Sequence, residues 1–548
     1  MLNRRQTLGS LLPGTAALAA PQAQAAARRA SKINPASPKQ TISDSGIEWA
    51  WMKWPRGIEG QRRADLGNGA FLNPILSGDH PDPSILKEGR DYFMTFSTFD
   101  AYPGLTIWHS RDLVNWQPLG AALRQPIGSV WAPDLSKYQG RYYLYIPARG
   151  PERNSIYVIT AEDIRGPWSD PVDLDLPRHI DPNHVVGEDG RRYLALSGGD
   201  LAELTEDGLA TAGAPKHIYD PWRYPESWVV ESFSPEGPKI LRHGEYFYML
   251  TAVGGTAGPP TGHMVTVARA RSLHGPWENA PNNPIVHTTS ATQKWWSRGH
   301  ACAVQAPDGG WWLVHHGYEN GFWTLGRQTL LAPMEWTRDG WIKAKGGDLS
   351  RPIKKPKGGQ VVPHGMALSD DFSTNRFGSL WSFYDPGPNE MERVRYDGGA
   401  LCVRGKGTQP FDCSPISLRA GDLSYEVETE IEISGGAQAG LLLFYNRRLY
   451  CGLGFDASKF VMHRYGLERN QTKPADVGNR LFLRIANDRH IVTIHYGADG
   501  KSWTKFGVQM EVSGYNHNTA SGFLSLRPAI YVAGSGEARF GAVKYLAS

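Results

Sequence analysis

Three carboxylates lie in similar short turns at separate places along the chain. Asp82 lies in the segment HPDPS, Asp181 in IDPN and Glu236 in PEGP, and each precedes an aromatic segment by about ten residues. A single turn of this kind, with proline or glycine, is an ordinary structural signal. The shared spacing of the three instead predicts that repeated units of one fold bring them into a common site.

Such a set of acids is suited to cleaving a glycosidic bond. One carboxylate must be ionised to draw a proton from water, and another must be protonated to give a proton to the leaving oxygen. A third carboxylate helps to separate these two states, because like charge nearby raises a pKa, and each pKa unit corresponds to about 1.4 kcal/mol. This reaction needs no separate cofactor.

The segments that follow these turns repeat along the chain. Five of them begin with glycine and continue as short aromatic strands, about 50 residues apart and about 65 at the end. They begin at Gly89, Gly140, Gly190, Gly244 and Gly309. Units of this length and composition are typical of propeller blades. The repeat predicts a five-bladed β-propeller over residues 70–345, with one long, accidentally self-similar β-sandwich as the alternative.

The remaining chain divides into further regions. Residues 346–366 are rich in Gly, Pro and Lys and indicate a linker. Residues 425–433 alternate strictly between polar and apolar side chains, as half-buried strands do, so residues 367–548 are predicted to form a β-sandwich. The predicted fold class is therefore all-β, a five-bladed propeller followed by a jelly-roll sandwich.

The N-terminus indicates export. Arg4 and Arg5 precede an apolar run, and Ala23-Gln24-Ala25 has the form of a signal-peptidase site, so residues 1–27 resemble a bacterial twin-arginine signal. Residues 28–69 then form an N-terminal extension, and the mature protein is expected in the periplasm or outside the cell. No later apolar run reaches about 18 residues, so no membrane partner is expected.

The composition limits the classes of partner that the protein is expected to bind. The chain has 548 residues with 58 Lys+Arg against 54 Asp+Glu, and this net charge of +4 is too small for a nucleic-acid binder. Four cysteines occur without metal-ligand spacing, and a bridge between Cys402 and Cys413 stays open. A neutral partner such as a saccharide fits best.

The order of six short motifs resembles glycoside hydrolase family 43. These motifs are NPILSGDHPDPSI from Asn73, VWAP from Val130, IDP from Ile180, EGP from Glu236, GHA from Gly299 and LGR from Leu325. The sandwich resembles the C-terminal concanavalin-like domain of the β-xylosidases in that family. The resemblance therefore extends over nearly the whole mature chain.

This resemblance implies an inverting enzyme that removes terminal xylose or arabinofuranose from xylo- or arabino-oligosaccharides of plant hemicellulose. Asp82 matches the general base, Glu236 the general acid, and Asp181 the residue that orients the acid and raises its pKa. The general base and acid are expected to be roughly 6.5 to 9.5 Å apart. Asp134, directly after the VWAP motif, is an additional acid without an assigned role.

The resemblance also assigns a pocket for the terminal sugar. The matching positions are Phe99, Trp131, Thr256, His300 and Arg327. Core packing is the alternative for Phe99 and Trp131, and His300 could instead lie beneath the pocket near a central water or calcium ion. Arg327 could bind sugar hydroxyls and favour an ionised base. A structural calcium near the propeller axis is thus possible, although catalysis requires no cofactor.

Other functions remain open at this level. An endo-arabinanase or β-galactosidase would use the same scaffold with a different pocket, and a non-catalytic carbohydrate-binding propeller would bind without hydrolysis. The preferred pentoside, trimming of ends against cutting within chains, and the oligomeric state are undecided. A sandwich loop over the propeller mouth would favour trimming, but no such loop is recognisable from the pattern.

Overall fold

The protein is described by a computed structural model that covers residues 54–475 and 477–548. Almost all regular structure there is strand. The helical elements are α-helix His517–Ala520 and the 3-10 turns Ile58–Gly60, Ser197–Gly199, Trp323–Leu325, Glu390–Arg393 and Pro410–Asp412. The all-β prediction is confirmed. The predicted export signal at 1–27 and most of the extension at 28–69 lie outside the described residues.

The first half forms five antiparallel blades, as the repeat predicted. Blade 1 contains Ser84–Glu88, Asp91–Thr95, Gly104–Ser110 and Gln117–Leu123. Blade 2 contains Ser129–Val130, Asp134–Tyr138, Arg141–Arg149, Asn154–Ala161 and Val172–Asp173. Blade 3 contains Asn183–Val186, Arg192–Leu196, Asp200–Glu203 and Lys216–His217.

The last two blades follow the same plan. Blade 4 contains Glu236–His243, Tyr246–Val253, Met264–Ala270, Glu278–Asn279 and Val286–His287. Blade 5 contains Trp295–Gln305, Trp311–Glu319, Gln328–Trp336 and Ile342–Ala344. The repeated glycines, such as Gly89 with φ 59°, lie in the tight turns between the innermost strand of each blade and the next strand, where a left-handed backbone favours glycine.

The blades close into a ring around the strands that begin them. In blades 1, 3, 4 and 5 that is the first strand, and in blade 2 it is Asp134–Tyr138. Each contacts the corresponding strand of the next blade, including that of blade 5 with that of blade 1. Before blade 1, residues 75–80 run along blade 5, where the His80 amide donates to the Arg327 carbonyl at 2.9 Å. The ends of the innermost strands therefore face a common axis.

The second half is a two-sheet sandwich. The eight-stranded sheet runs in the order Leu467–Thr472, Lys459–Arg464, Leu449–Phe455, Ala437–Asn446, Arg527–Gly534, Ile416–Leu418, Trp381–Tyr384 and Ala101–Tyr102. The facing sheet contains Val394–Tyr396, Leu401–Arg404, Glu537–Phe540, Ser424–Ser434, Arg480–Asp488, Ile491–Gly497, Thr504–Lys505, Met510–Glu511 and Lys544–Ala547. The alternating segment at 425–433 lies within Ser424–Ser434, with its apolar side chains in the core between the sheets.

The propeller and the sandwich share structure. Ala101–Tyr102 of the propeller pairs with Phe383–Tyr384 and thereby becomes the edge strand of a sandwich sheet. A buried ion pair joins Asp79 to Arg527 at 2.8 Å. These contacts fix one end of the sandwich against the propeller face where the innermost strands begin.

Two smaller features complete the fold. Within residues 346–366, Ile353–Lys354 pairs with Ala70–Phe71, so this segment is tied to the start of the propeller. Cys402 and Cys413 are buried free thiols, and the bridge considered between them does not form. Among the described residues, no helix has the length and apolar character needed to span a bilayer.

Candidate active site

The start of each innermost strand supplies the residues of the site. Asp82 and Asp181 lie two residues before the innermost strands of blades 1 and 3, and His300 lies at an irregularity within the innermost strand of blade 5. All three have left-handed backbones, with φ of 54°, 55° and 55°. Non-glycine residues rarely adopt this conformation, and it is frequent at functional sites. The matched geometry explains how distant turns direct their side chains toward one cavity.

Glu236 reaches the same place in a slightly different way. In its blade Gly237 has the left-handed backbone, with φ 60°, and Glu236 stands one residue earlier at the head of the strand. A Cβ atom at Gly237 would lie only 2.8 Å from the His300 ring. Glycine is therefore required both by the backbone and by the packed imidazole.

All eight predicted site residues line one cavity of about 110 Å³. They are Asp82, Phe99, Trp131, Asp181, Glu236, Thr256, His300 and Arg327. Phe99 and Trp131 also belong to an apolar cluster, so the packing alternative and the pocket assignment both describe them. His300 is buried at the base of the cavity, and its Nδ1 lies 3.5 Å from Asp82 Oδ1.

Asp82 is surrounded by donors and positive charge. Arg327 Nη1 donates to Asp82 Oδ1 at 2.7 Å, and Ser97 Oγ donates to Oδ2 at 2.5 Å. Burial alone would raise the pKa of Asp82, but the Arg327 guanidinium outweighs it and holds that pKa well below its usual range. Asp82 is therefore ionised at neutral pH.

Asp181 and Glu236 lie in surroundings that raise their pKa values, in contrast to Asp82. Their carboxylate oxygens and a nitrogen of His300 all lie within 4.8 Å of one another. Burial and the Asp82 charge raise the pKa of Glu236 to about 8, and burial with the Glu236 charge raises that of Asp181 well above its usual range. The Gly237 amide donates to Asp181 Oδ2 at 2.9 Å and fixes its orientation. This carboxyl pair holds a proton at neutral pH because both members cannot easily ionise together.

The sandwich supplies one wall of the cavity. Phe523 lies 5.6 Å from both Phe99 and Trp131, ring centre to ring centre, and the Arg327 guanidinium lies 5.2 Å from its ring. The Leu526 amide also donates to the Thr324 carbonyl at 2.8 Å, which holds the segment against the propeller. The sequence analysis missed Phe523, because nothing in its local pattern indicates a contact with the distant propeller.

Three further polar residues near the carboxylates were also missed. Glu231 lines the cavity and accepts a hydrogen bond from the Ala257 amide at 2.7 Å. His316 Nδ1 lies 3.2 Å from Asp82 Oδ1, and His263 Nε2 lies 3.3 Å from Glu236 Oε1. A possible signal for His316 was its place on the aromatic strand of blade 5, opposite the predicted GHA turn.

Asp134 has a structural partner at the propeller axis. Its Oδ1 pairs with Lys239 Nζ at 2.9 Å, and the same ammonium lies 3.3 Å from the Pro133 carbonyl oxygen and 3.4 Å from that of Pro182. Asp134 also accepts from Asn183 Nδ2 at 2.8 Å. The additional acid of the sequence thus joins blades 2, 3 and 4 at the propeller axis.

This axial arrangement does not fit a calcium ion. Calcium takes six to eight oxygen ligands, whereas the oxygens at the axis already surround the Lys239 ammonium. The other group near the axis, Asp181, Glu236 and His300, offers only two carboxylates with one nitrogen. We therefore assign no metal to either position.

One propeller cavity thus contains an ionised carboxylate and a carboxyl pair that holds a proton. These are the general base and the general acid that a glycoside hydrolase needs. Comparison with known proteins agrees. Residues 71–342 match the family described as glycosyl hydrolases family 43, and residues 369–545 match the β-xylosidase C-terminal concanavalin A-like domain. The chain belongs to glycosyl hydrolase family 43.

Several similar proteins are named as arabinofuranosidases or xylosidases. A non-reducing end α-L-arabinofuranosidase of Bacteroides ovatus is 32% identical over 360 residues, which cover 62% of this chain and 66% of the relative. A xylan 1,3-β-xylosidase of a Vibrio species is 27% identical, with 79% of this chain and 90% of the relative covered. The crystal structure of a xylan β-1,4-xylosidase from Bacillus halodurans C-125 superposes with a TM-score of 0.78 at 25% identity, covering 87% of this chain and 99% of that one.

Proposed function

We propose that this glycoside hydrolase is an exported, inverting enzyme that removes terminal xylose or arabinofuranose from hemicellulose oligosaccharides. The observation that carries the proposal is the opposite protonation of Asp82 and Glu236 in the lining of one small cavity. Inversion needs an ionised base and a protonated acid at the same time.

Asp82 acts as the general base. With Arg327 Nη1 and Ser97 Oγ on its two oxygens, the carboxylate is held in one orientation and stays ionised. It takes a proton from a water molecule while that water forms its bond to the anomeric carbon. The same step breaks the bond between that carbon and the leaving oxygen.

Glu236 acts as the general acid. Its raised pKa, about 8, keeps the proton in place until the glycosidic oxygen departs and receives it. Activity is therefore expected to fall as the pH rises through about 8, because Glu236 then loses the proton. Asp181, whose orientation the Gly237 amide fixes, lies beside the acid, and the repulsion between the two carboxylates disfavours ionisation of both together.

The shape of the cavity supports removal of single terminal units. Its volume is about 110 Å³, and Phe523 of the sandwich forms one wall together with Phe99 and Trp131. A chain cut internally would have to continue past that wall. The similar proteins named as xylosidase or arabinofuranosidase support a pentose as the terminal sugar.

Export rests on the sequence of the N-terminus. Arg4 and Arg5 before an apolar run, and the small residues around Ala25, support processing by a twin-arginine pathway into the periplasm or beyond. Mass spectrometry of the mature protein recovered from the periplasm would test this. An intact N-terminus in the cytoplasm alone would contradict it.

Two assays test the reaction. Hydrolysis of 4-nitrophenyl β-xyloside and α-L-arabinofuranoside, beside a β-galactoside and linear arabinan, identifies the substrate. Proton NMR during the first turnovers then identifies the first-formed anomer, and we expect the inverted one. Retention of configuration would overturn the mechanism, and saccharide binding without any hydrolysis would indicate a binding propeller instead.

A further inference from the structure

We propose that His263 is a positioning residue that donates its Nε2–H to Glu236 Oε1, so that the proton used in catalysis sits on Glu236 Oε2. The inference rests on the proposed role of Glu236 as general acid. A carboxyl group has two oxygens, and only a correctly placed proton can be transferred to the leaving oxygen. A series of contacts from Asp82 through His316 and His263 to Glu236 fixes that placement.

The route begins at the backbone of Asp82. The Asp82 amide donates its hydrogen to His316 Nδ1 at 3.0 Å. A neutral imidazole that accepts at one nitrogen carries its hydrogen on the other. His316 therefore holds its hydrogen on Nε2.

The same reasoning passes to the next ring. His316 Nε2 lies 3.1 Å from His263 Nδ1, so the hydrogen of His316 is donated to that nitrogen. His263 then carries its own hydrogen on Nε2, which lies 3.3 Å from Glu236 Oε1. The backbone N–H of Asp82 thus determines which nitrogen of each histidine carries the hydrogen, and it directs the His263 N–H toward Glu236.

Both rings are neutral. Each side chain is fully buried, and burial lowers the pKa of His263 to about 4 and that of His316 well below its usual value. A doubly protonated ring would donate from both nitrogens and could not accept the hydrogen bond from the group before it. His316 Nδ1 also lies 3.2 Å from Asp82 Oδ1, but the Asp82 amide hydrogen points at that nitrogen, so Nδ1 accepts and one arrangement of hydrogens in the neutral rings remains.

His263 is held with its donor toward Glu236. A Cβ atom at Gly299 would collide with the His263 ring, so this glycine allows the strand of blade 5 to pack directly on the imidazole. His263 Nε2 has no hydrogen-bond partner in the described part of the chain, although the Glu236 oxygen is near. A buried N–H without a partner costs about 1 to 3 kcal/mol, and Glu236 Oε1 is the acceptor within reach.

This donor would act through Glu236 in two ways. It makes Oε1 an acceptor, which leaves the transferable proton on Oε2. It also stabilises the carboxylate that remains after the proton has left, since a hydrogen bond to a charged group is stronger than one between neutral groups. Both effects matter most when the leaving group needs protonation.

The test replaces the donor and varies the leaving group. His263→Met removes both ring nitrogens with similar volume, whereas His263→Gln offers an amide N–H near the position of Nε2. Substrates are a disaccharide and the 4-nitrophenyl glycoside of the sugar that the enzyme accepts. We expect His263→Met to lower kcat for the disaccharide by about 10- to 100-fold, a part of the usual contribution of a general acid. For the aryl glycoside we expect a loss below about threefold, and His263→Gln should restore most of the disaccharide activity.

Glu236→Gln is the control that separates this inference from the proposed function. If that variant loses disaccharide cleavage but retains part of the aryl activity, Glu236 is the acid, and equal losses on both substrates in His263→Met would then overturn the role of His263. If Glu236→Gln loses both activities equally, the acid assignment fails, and the inference fails with it.

A second measurement does not depend on folding of a variant. In protein labelled with 15N-histidine, the nitrogen shifts of a neutral ring report which nitrogen carries the hydrogen. We expect His263 and His316 to be protonated on Nε2 and bare on Nδ1. Protonation of His263 on Nδ1 would overturn the proposal, whatever the kinetics of the variants.

Discussion

Asp82 and the Asp181–Glu236 pair line the same cavity and are largely buried, yet their pKa values move in opposite directions. Asp82 receives the Arg327 guanidinium and the Ser97 hydroxyl. The acid pair receives one backbone amide and lies next to further negative charge. Burial is thus common to both sides, and the neighbouring charges and donors decide which carboxyl keeps a proton.

The largest expected effect separates base from acid. Asp82→Ala should nearly abolish turnover of both oligosaccharides and activated aryl glycosides, by up to about 10⁴-fold, because Asp82 is the group that activates the water. Glu236→Ala should be as damaging for oligosaccharides and partly tolerated for a 4-nitrophenyl leaving group, which departs without protonation. Steady-state kinetics on both substrates measure this. Equal tolerance of the two changes would contradict the assignment of roles.

The buried ion pair between Asp134 and Lys239 at the propeller axis is expected to contribute mainly to stability. Lys239→Met leaves Asp134 as an unpaired buried charge, and breaking such a pair costs about 3 to 5 kcal/mol. The double change Lys239→Met with Asp134→Asn removes both charges and should recover much of that loss. Thermal unfolding of the single and double variants measures the difference. A double variant less stable than the single one would show that the ion pair is not the cause.

A charge on the base side should set the acidic limb of the pH profile. Arg327→Met removes a charge that holds the pKa of Asp82 well below its usual range, so this pKa should rise. Because the base works only when ionised, the acidic limb of kcat/KM should move to higher pH, by about 1 to 3 units. The basic limb should also move to higher pH, because Arg327 lowers the pKa of Glu236 as well. An acidic limb that stays in place would remove Arg327 as the cause of the low pKa.

Arg149→Met is the matched control on the acid side. The Arg149 guanidinium lies 3.9 Å from the Trp131 ring centre and lowers the pKa of Glu236. Its removal should therefore move the basic limb to higher pH while leaving the acidic limb in place. Movement of both limbs together would indicate a general change of field rather than two separate environments.

The smallest expected effect concerns the wall that both sides share. Phe523→Ala removes the sandwich ring that packs on Phe99 and Trp131, and an aromatic pair contributes about 0.5 to 1.5 kcal/mol beyond its buried area. We expect KM for short oligosaccharides to rise by about tenfold, with a smaller change in kcat. Phe523→Leu, which keeps an apolar side chain, should lie between the variant and the natural protein. Unchanged KM would exclude Phe523 from the sugar pocket.

The local sequence pattern was sufficient to predict the blades and the turns that contain the carboxylates. A left-handed turn next to proline leaves a signature within a few residues, and the glycine-led aromatic strands repeat at nearly constant intervals. The positions of Asp82 and Asp181 at equivalent places in two blades followed from that repetition. Glu236, one residue out of phase, was still predicted because it lies in a similar short segment with glycine and proline.

Contacts between blades and between the two halves were not predictable in this way. Phe523 and Lys239 lie in segments whose own patterns describe a sandwich strand end and a propeller strand. Their partners, Phe99 and Asp134, come from elsewhere in the chain. Pairing of this kind depends on how the ring closes and on where the sandwich packs.

The sequence by itself therefore determined the number of blades, the second β domain and the three carboxylates, because strand period, turn chemistry and repetition are local properties of the chain. The tertiary structure decided which carboxylate is ionised, which is protonated and what closes the cavity. A pKa depends on the charges and donors within a few ångströms, and closure of the propeller against the sandwich is what brings those groups together.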